Sequence, residues 1–168
     1  MKKLFLLIGI LSVTLTVSLA QNKKAEKEAA AKAQFEKAVA AIEAKDFVII
    51  VDTYESGSGT IETNTDDANF VSYEKDFVFL QGAIVAGNSY TNRVTISDYK
   101  QVADKKENIR IEMQVKGTYI TAKIEIFMKK GGNYADVIIS HSKGGSKRFS
   151  GEVIPRAESK YFKRPGVV

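Results

Sequence analysis

The chain has 168 residues, with 25 Lys and Arg against 20 Asp and Glu, one His, two Pro, and neither Cys nor Trp. Without cysteine there is no disulfide scaffold, thiolate zinc site, thiol nucleophile or iron–sulfur cluster. At 44% hydrophobic and 27% charged, the composition is that of an ordinary globular chain rather than a disordered one, and the length predicts one domain.

Residues 1–20, MKKLFLLIGILSVTLTVSLA, begin with Lys2 and Lys3, continue as an apolar run from Leu4, and end in Ser18-Leu19-Ala20. Small residues at the −3 and −1 positions suit a signal peptidase, so the expectation is an export signal cleaved after Ala20 and a periplasmic or secreted protein. A lipid anchor would need a cysteine at the cut, where Gln21 stands; no stable membrane anchor is expected after cleavage. Two lysines leave with the leader, and the remaining 148 residues carry 23 basic and 20 acidic side chains. That excess is too mild to imply a nucleic-acid partner. An exported domain without disulfides must stand on its hydrophobic core, and this length is enough to build one.

Residues 21–45 predict a helix. They are built from Ala, Lys, Glu and Gln, contain no Gly or Pro, and place Ala31, Phe35, Ala38, Val39 and Ile42 on one apolar stripe. Only the half from Ala33 to Ala44 has side chains large enough to pack.

From Asp46 the period changes from 3.6 to 2. Phe47 to Val51 is apolar on both sides, which predicts a strand covered on both faces, one of them by the preceding helix. Residues 55–59 form a turn, and Asn69–Tyr73 and Asp76–Leu80 flank a tight hairpin. Gly82 to Asn92 reads as a long loop. Ile109, Ile111, Met113 and Val115 alternate with polar residues; Ile120 to Met128, Ala135 to Ile139 and Phe149 to Val153 follow, separated by turns at Gly117, Gly131-Gly132 and Gly144-Gly145. No crossover helix is available for parallel strands. The predicted fold is therefore mainly β (α+β by strict count): an N-terminal helix followed over residues 46–155 by an antiparallel meander of about eight strands, closed as a lipocalin-like barrel or folded as a two-layer sandwich. A basic tail, 156–168, is expected to run over the surface.

The chemistry-bearing residues are sparse. His141 cannot join a multi-histidine metal cluster and reads as a strand-end polar residue, because a general base needs a positioned nucleophile and Ser140 and Ser142 are only sequence neighbours. Asn64, Asp66, Asp67 and Asn69 offer hard oxygens at loop spacing but lack the Gly and distal Glu of an EF-hand loop, and read as an Asx-rich turn. The segments 56–59 and 144–147 resemble phosphate loops in composition alone, since strands rather than helices follow them. Lys129, Lys130, Lys143, Lys147 and Arg148 sit near hairpin tips and are expected to share one end of the sheet with the tail, either as solubilising charge or as a patch for an anionic partner. Tyr54, Tyr73, Tyr90, Tyr99, Tyr119, Tyr134, Phe70, Phe77 and Phe79 suit a core or the lining of a small cavity inside a barrel.

Over residues 38–163 the chain resembles a family of small secreted bacterial proteins known as domain of unknown function 4251. The resemblance is carried by AIEAKDFVIIVDTY (Ala41 to Tyr54), NFVSYEKDFVFLQG (Asn69 to Gly82), VTISDYK (Val94 to Lys100), IRIEMQVKG (Ile109 to Gly117) and FSGEVIPRAESKYFK (Phe149 to Lys163). The departure is at Ala83 to Asn92, where the family tends to carry a Gly-rich loop. Membership implies export and a mostly β fold and confers no activity. The expected function is thus a non-catalytic exported module that binds a protein, glycan or lipid, with no catalytic, cofactor-binding or metal-binding residue. The alternatives are a carrier of a small apolar ligand inside the barrel and a hydrolase using carboxylates such as Asp66, Asp67 or Glu74.

Overall fold

The computed structural model describes residues 2–168, with side chains from Lys23 onward. The side chains of the leader expected over residues 1–20 lie outside those described.

Helix α1 (Lys2–Glu43) stops where Lys45 turns into the left-handed region at φ 54°. The Lys45 N–H donates back to the Ile42 carbonyl (3.0 Å), closing the last helical turn. Of the predicted stripe, Ala38 and Ile42 are fully buried, and Phe35 and Val39 are partly buried against the same cluster.

Ten strands follow: β1 (Asp46–Ile50), β2 (Thr53–Glu55), β3 (Ile61–Thr63), β4 (Phe70–Glu74), β5 (Phe77–Gln81), β6 (Thr91–Ala103), β7 (Ile109–Gly117), β8 (Thr121–Met128), β9 (Tyr134–His141) and β10 (Ser146–Pro155). Strands β1 and β4 to β10 pair in the order β1-β4-β5-β6-β7-β8-β9-β10, and β10 pairs back onto β1, with Val48 opposite Ile154. All these pairings are antiparallel. The meander is a closed eight-stranded barrel, which removes the free edges an open sheet would carry. Strands β2 and β3 form an additional hairpin hung on β10.

β1 and β2 are nearly one strand, interrupted where the chain presses against β10. A Cβ at Gly151 would stand 2.0 Å from the Ile50 carbonyl oxygen, so only glycine admits this approach. The expected loop at 82–92 is shorter than predicted: Ala83–Ala86 forms one helical turn, α2, which buries Val85 and Ala86, and β6 already starts at Thr91. Gly82 opens that turn at φ 93°, with a Cβ position only 2.2 Å from Asn69 Oδ1.

The barrel has two distinct ends. At the proximal end lie the α1 C-terminus, the β4–β5, β6–β7 and β8–β9 turns and the end of β10. At the distal end lie α2, the β7–β8 and β9–β10 turns and the β2–β3 hairpin. The α1 stripe and Val85 of α2 belong to the same buried cluster as Phe47, Leu80, Ile111, Met113, Ile124, Ile126, Met128 and Ile139. The core therefore runs through the barrel from one capping helix to the other.

Both faces of β1 are covered, as predicted, but by different segments. Phe47 and Ile49 join the inner cluster with α1, whereas Val48 joins an outer cluster with Phe70 and Phe79 that is packed by Ile154 and Tyr161. The tail beyond Pro155 crosses the outside of the barrel as an anchored strap. The Tyr161 ring meets Phe70 edge-on at 4.7 Å, and the Val168 N–H donates to the Thr91 carbonyl (3.0 Å). Three of its basic residues are paired with acids of the barrel: Arg156 with Asp46, Lys163 with Glu74 at 3.0 Å and Arg164 with Asp66 at 3.8 Å.

Candidate functional site

Among the described residues, the side chains that face the barrel interior leave no ligand chamber. Phe47, Ile49, Leu80, Ile111, Ile124, Met128 and Ile139 are fully buried and fill it, so the space an apolar cargo would need is occupied by the side chains that stabilise the fold. The aromatic residues grouped in the sequence are divided among three places. Tyr73 and Tyr99 pack at the core, Phe70, Phe77 and Phe79 face outward under or beside the strap, and Tyr90 and Tyr119 stand exposed.

The carboxylates do not converge. Asp66 and Asp67 precede β4 and Glu74 ends it, at the opposite end of the strand. Glu74 accepts hydrogen bonds from Ser72 Oγ (2.8 Å), Lys163 Nζ (3.0 Å) and Tyr161 OH (3.1 Å). Burial pushes its carboxyl up, but these donors outweigh that and hold it below the usual carboxylate range. A general acid requires the opposite shift.

The Asx-rich loop closes on itself. Asn64 donates to the Val51 and Asp66 carbonyls (2.7 and 2.8 Å), and Asp66 Oδ1 accepts from the Ala68 N–H (2.9 Å). Among the described residues no group of three or more His, Asp or Glu side chains is placed to hold a metal ion. His141 ends β9 beside α2. Burial pushes its imidazole down, the Val85 backbone opposes this, and Lys147 adds to the depression. Its Nε2 is buried without a hydrogen-bond partner. Ser140 Oγ lies 3.2 Å from Ser146 Oγ, in a hydroxyl pair rather than a nucleophile–base pair.

The five basic residues expected at one end are separated. Lys129 and Lys130 lie at the proximal β8–β9 turn, and Lys143, Lys147 and Arg148 lie at or beside the distal β9–β10 turn. The eight residues of β9 hold the two groups about 25 Å apart. Lys130 pairs with Glu107, and Arg148 approaches Glu55 at 3.9 Å.

The distal end is the richer surface. Of the seven large hydrophobic residues exposed among the described side chains, five belong to distal segments: Ile61, Tyr90, Tyr119, Phe162 and Val167. Tyr90, just before β6, and Tyr119, in the β7–β8 turn, stack with ring centroids 6.5 Å apart and planes 27° apart. The Ser142 N–H donates to the Thr121 carbonyl (2.8 Å), joining the neighbouring β9–β10 turn to the same rim. Exposed Lys116 stands at the end of β7 and exposed Lys143 in the β9–β10 turn. Acidic residues at this end, Asp52, Glu55, Glu62, Asp66 and Asp67, are confined to the arc formed by residues 52–67. Beside that arc, a cavity of about 290 Å³ lies between the β2–β3 hairpin and β9–β10, lined by Tyr54, Ile61, Asp136, Ile138 and Arg148 among others.

Tyr90 and Tyr119 escape a reading based on alternation, because turn tips carry no period, whereas Lys116 falls on the solvent face that the alternation of β7 predicts. The readable signal is a different one: residues 82–97, 113–124, 137–151 and 159–168 contain no Asp or Glu. These runs include the distal connections on three successive sides of the barrel and the end of the strap.

An antiparallel barrel sealed by a helix, filled by its own side chains and carrying most of its described exposed apolar residues at one end defines a small capped β-domain. Residues 29–153 match the family described as a domain of unknown function (DUF4251), and the chain belongs to that family. It is similar to a DUF4251 family protein from Bacteroides eggerthii DSM 20697, whose crystal structure superposes with a TM-score of 0.70 at 27% identity, covering 79% of this chain and 94% of that one. The comparison with curated proteins gives no match.

Proposed function

We propose that the protein is an exported, non-catalytic interaction module of the cell envelope, and that it engages its partner through the distal rim. One observation carries this reading: apolar side chains fill the interior, while five of the seven large hydrophobic residues exposed among the described side chains lie at one end. Exposed tyrosines offer large, rigid, amphipathic contact area, and they are enriched where proteins meet partners or interfaces. The N-terminal segment Met1 to Ala20, with its basic start, apolar stretch and small residues at the cut, supports export.

Cell fractionation with mass spectrometry of the recovered protein, combined with a photo-crosslinking amino acid at Tyr90, Tyr119 or Tyr134, tests the proposal. The expected result is an envelope or medium fraction starting at Gln21, with adducts from positions 90 and 119 and none from the proximal Tyr134. A cytoplasmic protein that retains Met1, or adducts spread equally over all three positions, overturns it.

A further inference from the structure

The distal rim has a chemistry more specific than exposure. Lys116 at the end of β7 and Lys143 in the β9–β10 turn are exposed, and neither has an ion-pair partner among the described residues. The acid-free runs around them form a positive arc, whereas the half-buried Lys147 lines a cavity with Glu55, and Arg148 and Arg164, on the border with residues 52–67, are drawn toward Glu55 and Asp66. On the same rim stand the paired rings of Tyr90 and Tyr119, 55% and 69% exposed, with Val167 49% exposed on the strap that bonds to Thr91. In strand order Tyr90, Lys116, Tyr119 and Lys143 follow one another, so cations and amphipathic rings alternate along one end of the barrel.

We propose that this rim docks reversibly on an anionic phospholipid bilayer, with Tyr90 and Tyr119 at headgroup level and Lys116 and Lys143 against the lipid phosphates. This rests on the interaction-module reading and names its partner. Charge complementarity selects an anionic surface, since each lysine brought near one strengthens binding about fivefold. The tyrosines select a bilayer over a soluble polyanion, because a ring with an apolar body and a hydroxyl tip is stabilised at the boundary between hydrocarbon and water. Two lysines and two tyrosines give a weak, salt-sensitive attachment rather than an anchor.

The absence of cysteine makes the orientation directly measurable. Single cysteines replace Thr118 on the distal rim or Ala103 at the proximal end of the full chain, both exposed, and carry a polarity-sensitive fluorophore. The probes are vesicles of phosphatidylcholine alone and of phosphatidylcholine with 30% phosphatidylglycerol. The expected result is a blue shift of the label at position 118, only with phosphatidylglycerol, reversed by about 0.5 M salt, and no shift at position 103. Lys116→Glu with Lys143→Glu weakens binding tenfold or more, whereas Lys105→Glu with Lys129→Glu, of the same net charge, leaves it within about twofold; urea midpoints confirm that both variants are folded. Equal shifts of both labels, or a shift with phosphatidylcholine alone, show attachment through another segment and overturn the proposal. No shift at position 118 also overturns it, and then protein or glycan adducts from positions 90 and 119 would leave the interaction-module reading standing.

Discussion

The backbone N–H of Arg164 donates to Oε1 of Gln81 at 2.8 Å, across 83 residues of sequence. Gln81 is fully buried at the end of β5, and its amide is shared widely: Nε2 donates to the Ala68 and Phe162 carbonyls (2.9 and 2.7 Å), and Oε1 also accepts from the Thr91 hydroxyl. One side chain thus ties the strap, the Asx loop and the start of β6 together. Gln81→Ala leaves these buried groups unpaired and is expected to cost about 3 kcal/mol. Hydrogen exchange checks the location of the effect: amides of residues 159–168 lose protection first, while those of β7 to β9 keep theirs. Uniform loss across the barrel would refute a local role.

The strap's second attachment depends on pH. Glu74 has a folded-state pKa held below its ordinary value of 4.5. The unfolded chain therefore takes up the proton first, and the stabilisation is present above about pH 4.5 and is lost as the pH falls through the folded value. Glu74→Gln is expected to cost about 1–3 kcal/mol at pH 7, through weaker bonds to Lys163 and Tyr161. It should also flatten the decline in urea midpoint between pH 5 and pH 3. An unchanged slope means that Lys163 and Tyr161 do not favour the ionised form.

His141 acts in a higher window. Its imidazole is depressed below 6.5, chiefly by burial. As the pH falls through 6.5 the unfolded chain binds a proton that the folded chain resists, so stability declines from pH 7 toward pH 5. His141→Gln removes this contribution, and its urea midpoint should vary less over that interval than that of the unaltered protein. Nuclear magnetic resonance titration of the single histidine measures the folded pKa directly, and a value at or above 6.5 would contradict the burial argument.

Gly151 separates steric from conformational effects. Gly151→Ala forces a methyl into the Ile50 carbonyl, and backbone on both sides of the β1–β10 seam must move. A loss of about 3 kcal/mol or more is expected, within the range for severe overpacking. Gly132→Ala, where the added methyl meets open space, is the control and should change stability by less than about 1 kcal/mol. Comparable losses at both positions would mean that the close approach is not what requires glycine.

Strands β7 to β10 were legible because one face is core and the other solvent: the buried positions of β7 and β8 alternate along their whole length. The alternation does not reveal β6, whose residues beyond Val94 are exposed or only partly buried on both faces, nor β2 and β3, three residues each and largely open to solvent. The strap was readable as a basic tail but not as a cover, since what docks it is a buried glutamine on another strand. Barrel and sandwich share one pattern of alternation, and only the β1–β10 pairing separates them. The basic cluster was misplaced for a topological reason. Successive turns of a meander fall at opposite ends, so Lys129 and Lys143, one strand apart, can never meet. The same parity, applied to the acid-free runs, brings Tyr90, Tyr119 and Lys143 to one rim.

Closure of the barrel through β1 and β10 also sets an order on folding. Val48 finds Ile154 only after nearly the whole chain exists in one place, and the loop entropy of that pairing is met before its contacts form. A chain that emerges from its N-terminus, from a ribosome or through a membrane pore, cannot close the barrel until Pro155 is out. A seam formed across so long a loop belongs with the non-local β topologies that fold over milliseconds to seconds.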